Sequence, residues 1–218
     1  MTAPLHFADA REAAALAAFL ARLIHYDRAA AVRLRAGGGA LAVFGRPPSF
    51  EVLAIRTARL VDDGPLDVTV SAGELLDGIE ESAGKAMVPG PVTGPPWTGV
   101  LPPRGGWQQL PGLPDALGLR AAVAGAIAEF RSRDAELPPE RGTRAERERI
   151  GREIWSRHLP GTRVPLRTVH AAQSLGFLPG GEVPVRLFAA GPWLRLSTPY
   201  GAVVVRESGP VGLAVSPV

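Results

Sequence analysis

Arginine carries most of the chemistry this chain could do. Of 24 basic side chains only Lys85 is a lysine, and cysteine is absent. Without cysteine there can be no disulfide, thiolate nucleophile or cysteine-held zinc or iron–sulfur centre. Guanidinium groups, planar and permanently charged, suit carboxylates and phosphates. The informative arrangement surrounds Ala190-Gly191. A two-residue hairpin loop there places Arg186 opposite Arg195 and Phe188 opposite Trp193. All four share one face, while Val185, Leu187, Leu194 and Leu196 point the other way. Opposed arginines repel unless water, an acid or a bound anion intervenes. The expectation is a sheet face on which Arg186 and Arg195 hold an anionic ligand or acidic partner, with Trp193 as an aromatic platform. An earlier hairpin turning at Gly37-Gly38-Gly39 sets Arg33 and Arg35 outward, with Val32, Leu34, Leu41 and Val43 inward, and joins them to the same candidate set. The plainer alternative, which we favour, is an exposed face whose arginines pair with acids from the helices.

A second candidate is the segment from Gly84 to Pro114, which holds eight prolines, two tryptophans and almost no charge. Proline at that density belongs neither in a helix nor in a sheet interior. Trp97, Arg104 and Trp107 could form a partner-binding arm, since extended proline segments bind at low entropic cost. The alternative, which we favour, is that both tryptophans pack the arm onto its own chain, because an exposed pair would be a sticky patch.

Other motifs fail on spacing. Gly78 stands one residue too far from Gly84-Lys85 for a phosphate loop, and Ala86 replaces the magnesium-holding hydroxyl. His6, His25, His158 and His170 are scattered without metal-ligand spacing, so no metal or cofactor is expected. No Gly-x-Ser-x-Gly elbow occurs. The arginines of residues 141–157 are interleaved with Glu146, Glu148 and Glu153, and Glu148–Arg152 and Glu153–Arg157 stand at ion-pair spacing. That stretch is a solvated helix face, which argues against nucleic acid.

The elements positioning these residues come twice. Asp9 with Glu12 caps a helix reaching Tyr26, whose Leu16, Leu20, Leu23 and Ile24 recur at helical spacing. Strands follow at 32–35, 41–44, 51–60 and 66–70, then a short helix at 74–81. Beyond the arm, Pro114 and then Thr143 with Glu146 open two helices. A helix over 168–178 precedes strands at 183–188, 193–197, 202–207 and 211–216. Val32-Arg33-Leu34 is echoed by Val185-Arg186-Leu187, residues 52–56 by 203–206, and residues 64–71 by 209–216, in the same order. The fold expected is α+β: two related helix-plus-antiparallel-sheet units, 1–83 and 161–218, with a proline-rich arm at 84–113 and a helical pair at 114–160 between them.

Net charge is only +3, so the pI of about 10.1 reflects how little titrates between neutral pH and pH 10, not a polyanion partner. The charge is uneven, with eight arginines against eleven acids in residues 1–83 and five against two in 161–218. The C-terminal part is the better anion surface. No run of about 20 apolar residues spans a bilayer, and Asp9, Glu12 and Arg22 spoil any signal-peptide reading of residues 13–24. The expectation is a cytoplasmic protein with no membrane contact.

The run Leu101-Pro102-Pro103-Arg104-Gly105-Gly106-Trp107 is followed by Ile154-Trp155, Leu175-Gly176-Phe177-Leu178 and Gly191-Pro192-Trp193. Gly201-x-Val203-x-Val205-Arg206 closes the set. Across residues 100–207 this combination resembles a family of proteins from high-GC actinobacteria to which no activity is attached. The resemblance implies a lineage and no mechanism. The functional expectation is a non-catalytic binding or interaction protein, with a homodimer, an acidic protein or an anionic small molecule as partner. The alternatives are an enzyme acting on an anion clamped by arginines between the units, and nucleic-acid binding on the arginine-bearing sheet.

Overall fold

Alternating apolar residues build the sheet, and helical periodicity covers one side of it. The computed structural model describes residues 4–48, 50–138, 140 and 142–207. The first unit runs β1 (Leu5–His6), α1 (Ala10–Tyr26), β2 (Ala31–Gly37), β3 (Ala40–Gly45), β4 (Leu53–Arg59), β5 (Leu66–Ser71), α2 (Ala72–Asp77), β6 (Ile79–Glu80) and β7 (Lys85–Ala86). The arm contributes β8 (Gln108–Leu110). The helical pair is α3 (Ala116–Ala135) and α4 (Arg144–Ser156), and the last unit is α5 (Leu166–Ser174), β9 (Arg186–Ala190), β10 (Trp193–Thr198) and β11 (Gly201–Arg206).

The fold is α+β with two helix-plus-antiparallel-sheet units, and their strands merge. One eight-stranded sheet has the order β5-β2-β3-β4-β11-β10-β9-β8, while β1, β7 and β6 form a small separate sheet. The units meet where Leu53, Ala54 and Ile55 pair with Val204, Val203 and Ala202. About that junction β4, β3 and β2 correspond to β11, β10 and β9. The strand expected at 211–216 lies outside the described residues. The place beside β9 that answers to β5 beside β2 is filled by β8, drawn from the arm. Its three residues carry no proline and sit on the edge, where a short strand is tolerated.

Helix α1 buries Ala13, Leu16, Phe19, Leu20 and Leu23 against the inward residues Leu34, Leu41, Val43 and Ala54. Helix α5 lies over β11 and β10 on the same side, and Phe19 stacks on Phe177 at 5.5 Å, joining the two units. Thr168 of α5 is 1% exposed, and its Oγ1 has no hydrogen-bond partner. A buried hydroxyl without a partner is destabilising. Thr168→Val is therefore expected to raise stability by about 1 kcal/mol in thermal denaturation, and a loss would mean the hydroxyl is bonded.

Several local expectations are corrected. Asp9 caps α1 by accepting from the Arg11 and Glu12 amides, but the Glu12 carboxylate turns to Arg59, 2.9 Å away, instead of back to the cap. Asp115 is the cap of α3, so Pro114 precedes the helix and is not in its first turn. Helix α2 is shorter than 74–81, and α5 ends at Ser174 because Gly176, at φ +78, turns the chain. The hairpin loop is Gly191-Pro192, not Ala190-Gly191, which sets Trp193 against Ala190, Arg195 against Phe188 and Arg186 against Ser197. Gly191 has φ +54, and proline without an N–H suits the second loop position of such a turn. A two-residue shift preserves the faces, so the expected inside–outside pattern stands while Arg186 and Arg195 are not opposed.

The helical pair is laced with charge. Arg133 and Arg157 both bind Glu153, at 2.8 and 3.0 Å, and Arg157 reaches Glu129 at 2.7 Å. Glu148 pairs with Arg144, not with Arg152 as the spacing had suggested; Arg141 lies outside the described residues. Hydrogen bonds from Arg133 and then Arg157 hold the Glu153 carboxyl down at about 2, below the ordinary value near 4.3. A depressed carboxyl adds stability above its unfolded pKa and loses it as pH falls through the folded one. Circular dichroism melts should thus be flat near pH 5 and decline between about pH 4.3 and 2. High salt should shrink the decline, because the pairs are exposed.

Candidate functional site

Strand alternation leaves the sheet face opposite the helices with both apolar and cationic residues. Phe44, Leu53, Ile55, Ala202 and Val204 form an apolar centre there. The arm covers it. Val92 donates its amide to Thr69 on the β5 edge, and β8 pairs with β9 at the opposite edge. Between those points Trp97, Leu101 and Trp107 pack on the apolar centre. Seven strand spacings amount to about 34 Å, and the intervening chain reaches roughly 53 Å when extended, so the strap crosses with slack. Both tryptophans of the expected partner-binding arm pack onto the chain's own sheet. Trp107 Nε1 also donates to the Pro103 carbonyl at 3.0 Å.

One candidate arginine holds the strap, and a second shares its acid. Arg33 donates to Asp67 at 2.7 and 3.0 Å and to the Thr98 carbonyl in the arm. Arg35 lies 3.2 Å from the same Asp67. The Arg33 hydrogen bond holds the Asp67 carboxyl below its ordinary value, and Arg33 is raised in turn. Here acid from a neighbouring strand, not from a helix, neutralises the arginines.

Arg195 is different. Its guanidinium carbon lies 5.8 Å from the Trp107 ring centroid. No carboxylate lies within ion-pair distance among the described residues, and its buried Nε has no acceptor. Burial alone draws it below the usual arginine value, although an arginine stays charged at neutral pH. It borders a cavity of about 370 Å³ with Arg35, Arg104 and Trp107, floored by Ala40, Ala42 and Phe44. Small outward residues on β3 leave the room.

The fold thus brings together Arg35, Arg195, Arg104 and Trp107, from what the spacing presented as two separate candidates. It leaves Arg186 exposed at the far end of β9, and Trp193 lies beside Arg206, whose guanidinium carbon is 6.0 Å from the indole. His6 pairs with Asp62 at 2.8 Å. His170, lowered by burial, is stacked on Trp155 at 4.2 Å; neither histidine lines the Arg195 cavity. Among the described residues no three His, Asp or Glu side chains could share a metal ion, and no helix is long and apolar enough to cross a membrane. Sequence reasoning missed Ala40 and Ala42 as a floor. The signal available was two small residues on the outward positions of a central strand.

Residues 1–99 match the model of a domain of unknown function (DUF8010), and residues 102–210 match that of a second domain of unknown function (DUF8185). No curated protein matches. Among solved structures, the chain is similar to the DNA polymerase sliding clamp from Pseudomonas aeruginosa, with 12% identity and a TM-score of 0.48 over 99% of this chain and 68% of that one.

Proposed function

We propose, for a chain that belongs to the family of these two domains of unknown function, a non-catalytic binding role in which an anion enters the cavity between arm and sheet. The observation supporting this most directly is Arg195, a half-buried cation with no counter-charge and a side-chain N–H with no acceptor. Burying such a charge is costly unless something pairs with it, and a bound anion would supply the pair. Arg104 adds positive charge to the lining, and Trp107 covers the Arg195 guanidinium. The one hydroxyl in the lining is that of Thr57, and no histidine, aspartate or glutamate lines the cavity beside it to take its proton. That favours binding over the alternative of an enzyme clamping an anion.

Pyrophosphate and a short polyglutamate peptide are suitable probes. Each is expected to raise the melting temperature of the wild type in the manner of a native-state ligand. Arg195→Gln should bind at least tenfold more weakly, about 1.4 kcal/mol. Phosphorus NMR should show the pyrophosphate intact after incubation. Cleavage would favour the enzyme reading, and equal binding by Arg195→Gln would remove this site. A steep salt dependence with single-stranded oligonucleotides, absent with the small anions, would move the reading to nucleic acid.

A further inference from the structure

At the other end of the arm the same sheet face opens again, and its chemistry differs. Trp97 and Val100 from the arm face Trp193 and Val204 from the sheet across a cleft of about 340 Å³, with Leu53 in its lining. Leu53 and Val204 are buried, at 6% and 0% exposure. Two indoles and aliphatic side chains thus make the slot apolar. Arg46 and Arg206 stand in its lining, and neither has an ion-pair partner among the described residues. Arg206 lies against the Trp193 ring. The one acid of the cleft, Glu51, is 3.9 Å from Arg167 on α5. Glu51 also takes φ +52, the only positive value among the described residues other than glycine. That left-handed conformation costs about 1–2 kcal/mol, and it turns the chain where β4 begins to border the slot.

We propose that this cleft is a second binding site, for an amphiphilic monocarboxylate whose apolar body lies between Trp97 and Trp193 and whose carboxylate meets Arg46 and Arg206. Charge complementarity selects the anionic head, since the two cations lack partners and arginine binds carboxylates through parallel N–H donors. The indole pair selects an apolar or aromatic body. The volume is at the small end of ligand pockets, which run from roughly 300 to 1,000 Å³, so the body is a single ring or a medium-length alkyl chain. The Arg195 cavity, with two alanines in its floor and Arg104 and Arg195 in its lining, favours a compact anion. The arm separates the two and lends a tryptophan to each. This site does not rest on the anion reading of Arg195, because the two share no lining residue.

The test uses the full chain with phenylacetate and octanoate as probes, followed by calorimetry and tryptophan fluorescence. Both acids are expected to bind, and phenylacetamide, which lacks the charge, at least tenfold more weakly. The double variant Arg46→Gln/Arg206→Gln, changed only at exposed side chains, should lose at least tenfold in affinity for the acids while binding pyrophosphate as the wild type does. Arg195→Gln should show the reverse. Trp193→Ala should abolish the fluorescence response, with its melting curve recorded to show that it folds. Failure of both acids to bind would overturn the proposal. So would equal binding of phenylacetamide, unchanged affinity in the arginine double variant, or tighter binding of a mononucleotide at the same residues.

Discussion

Replacing Val203 with proline is expected to cost the protein at least about 3 kcal/mol and to loosen both units at once. Val203 is fully buried in a strand flanked on both sides, opposite Leu196 in β10 and Ala54 in β4. Proline in a central strand removes a ladder hydrogen bond and cannot adopt the neighbouring geometry. The site is also the junction through which the two halves become one sheet, and only three residue pairs hold it. Urea denaturation should show a lower midpoint, and hydrogen exchange should show β4 and β11 losing protection together. Protection lost in β11 alone, with β4 unchanged, would mean that the halves are stable separately and that the junction adds little.

A loss of about 3 kcal/mol is likewise expected for Gly201→Ala, for two additive reasons. Gly201 has φ +154, a conformation that side-chain-bearing residues rarely adopt and that costs of order 1–3 kcal/mol. A methyl group there would also lie 2.6 Å from the Phe177 ring. That ring is 2% exposed and stacked on Phe19, so it has nowhere to go, and overpacking costs typically 1–3 kcal/mol. Phe177→Ala alone should cost about 3–5 kcal/mol through the cavity it leaves. The double variant separates the two causes. With the ring gone the methyl group fits, so the pair should lose less than the sum of the single changes, by about 0.5–3 kcal/mol. Strict additivity would show that backbone strain, and not the close approach, makes glycine necessary at this position.

Much of the local structure was legible in the chain. Alternation of Val32, Leu34, Leu41 and Val43 with outward arginines named the strands and their faces, because side-chain period in a strand is 2 whatever it pairs with. The Leu16–Leu20–Leu23 spacing and the Asp9 and Thr143 caps named helices for the same local reason. The partner of each strand was not legible, because pairing is a contact between residues far apart in sequence. The match of residues 52–56 to 203–206 hinted at equivalence, but nothing in those residues says that the two strands lie side by side in one sheet. The hairpin loop was misplaced by one residue because the choice between Ala190-Gly191 and Gly191-Pro192 depends on backbone dihedrals that composition only suggests.

The candidate site divides along the same line. Arginine as the candidate ligand-binding residue type, the outward face of β10, and the arm's tryptophans were determined by the sequence, since residue type and strand period are local properties. Only the tertiary structure decided which arginines remain available. Arg33 and Arg35 share Asp67, which strand register places beside them, and Arg186 is carried to an exposed strand end. Arg195 is left half-buried under Trp107 without an acid. Charge compensation depends on distances of a few ångströms between strands. A linear chain does not contain those distances until the arm has crossed the sheet.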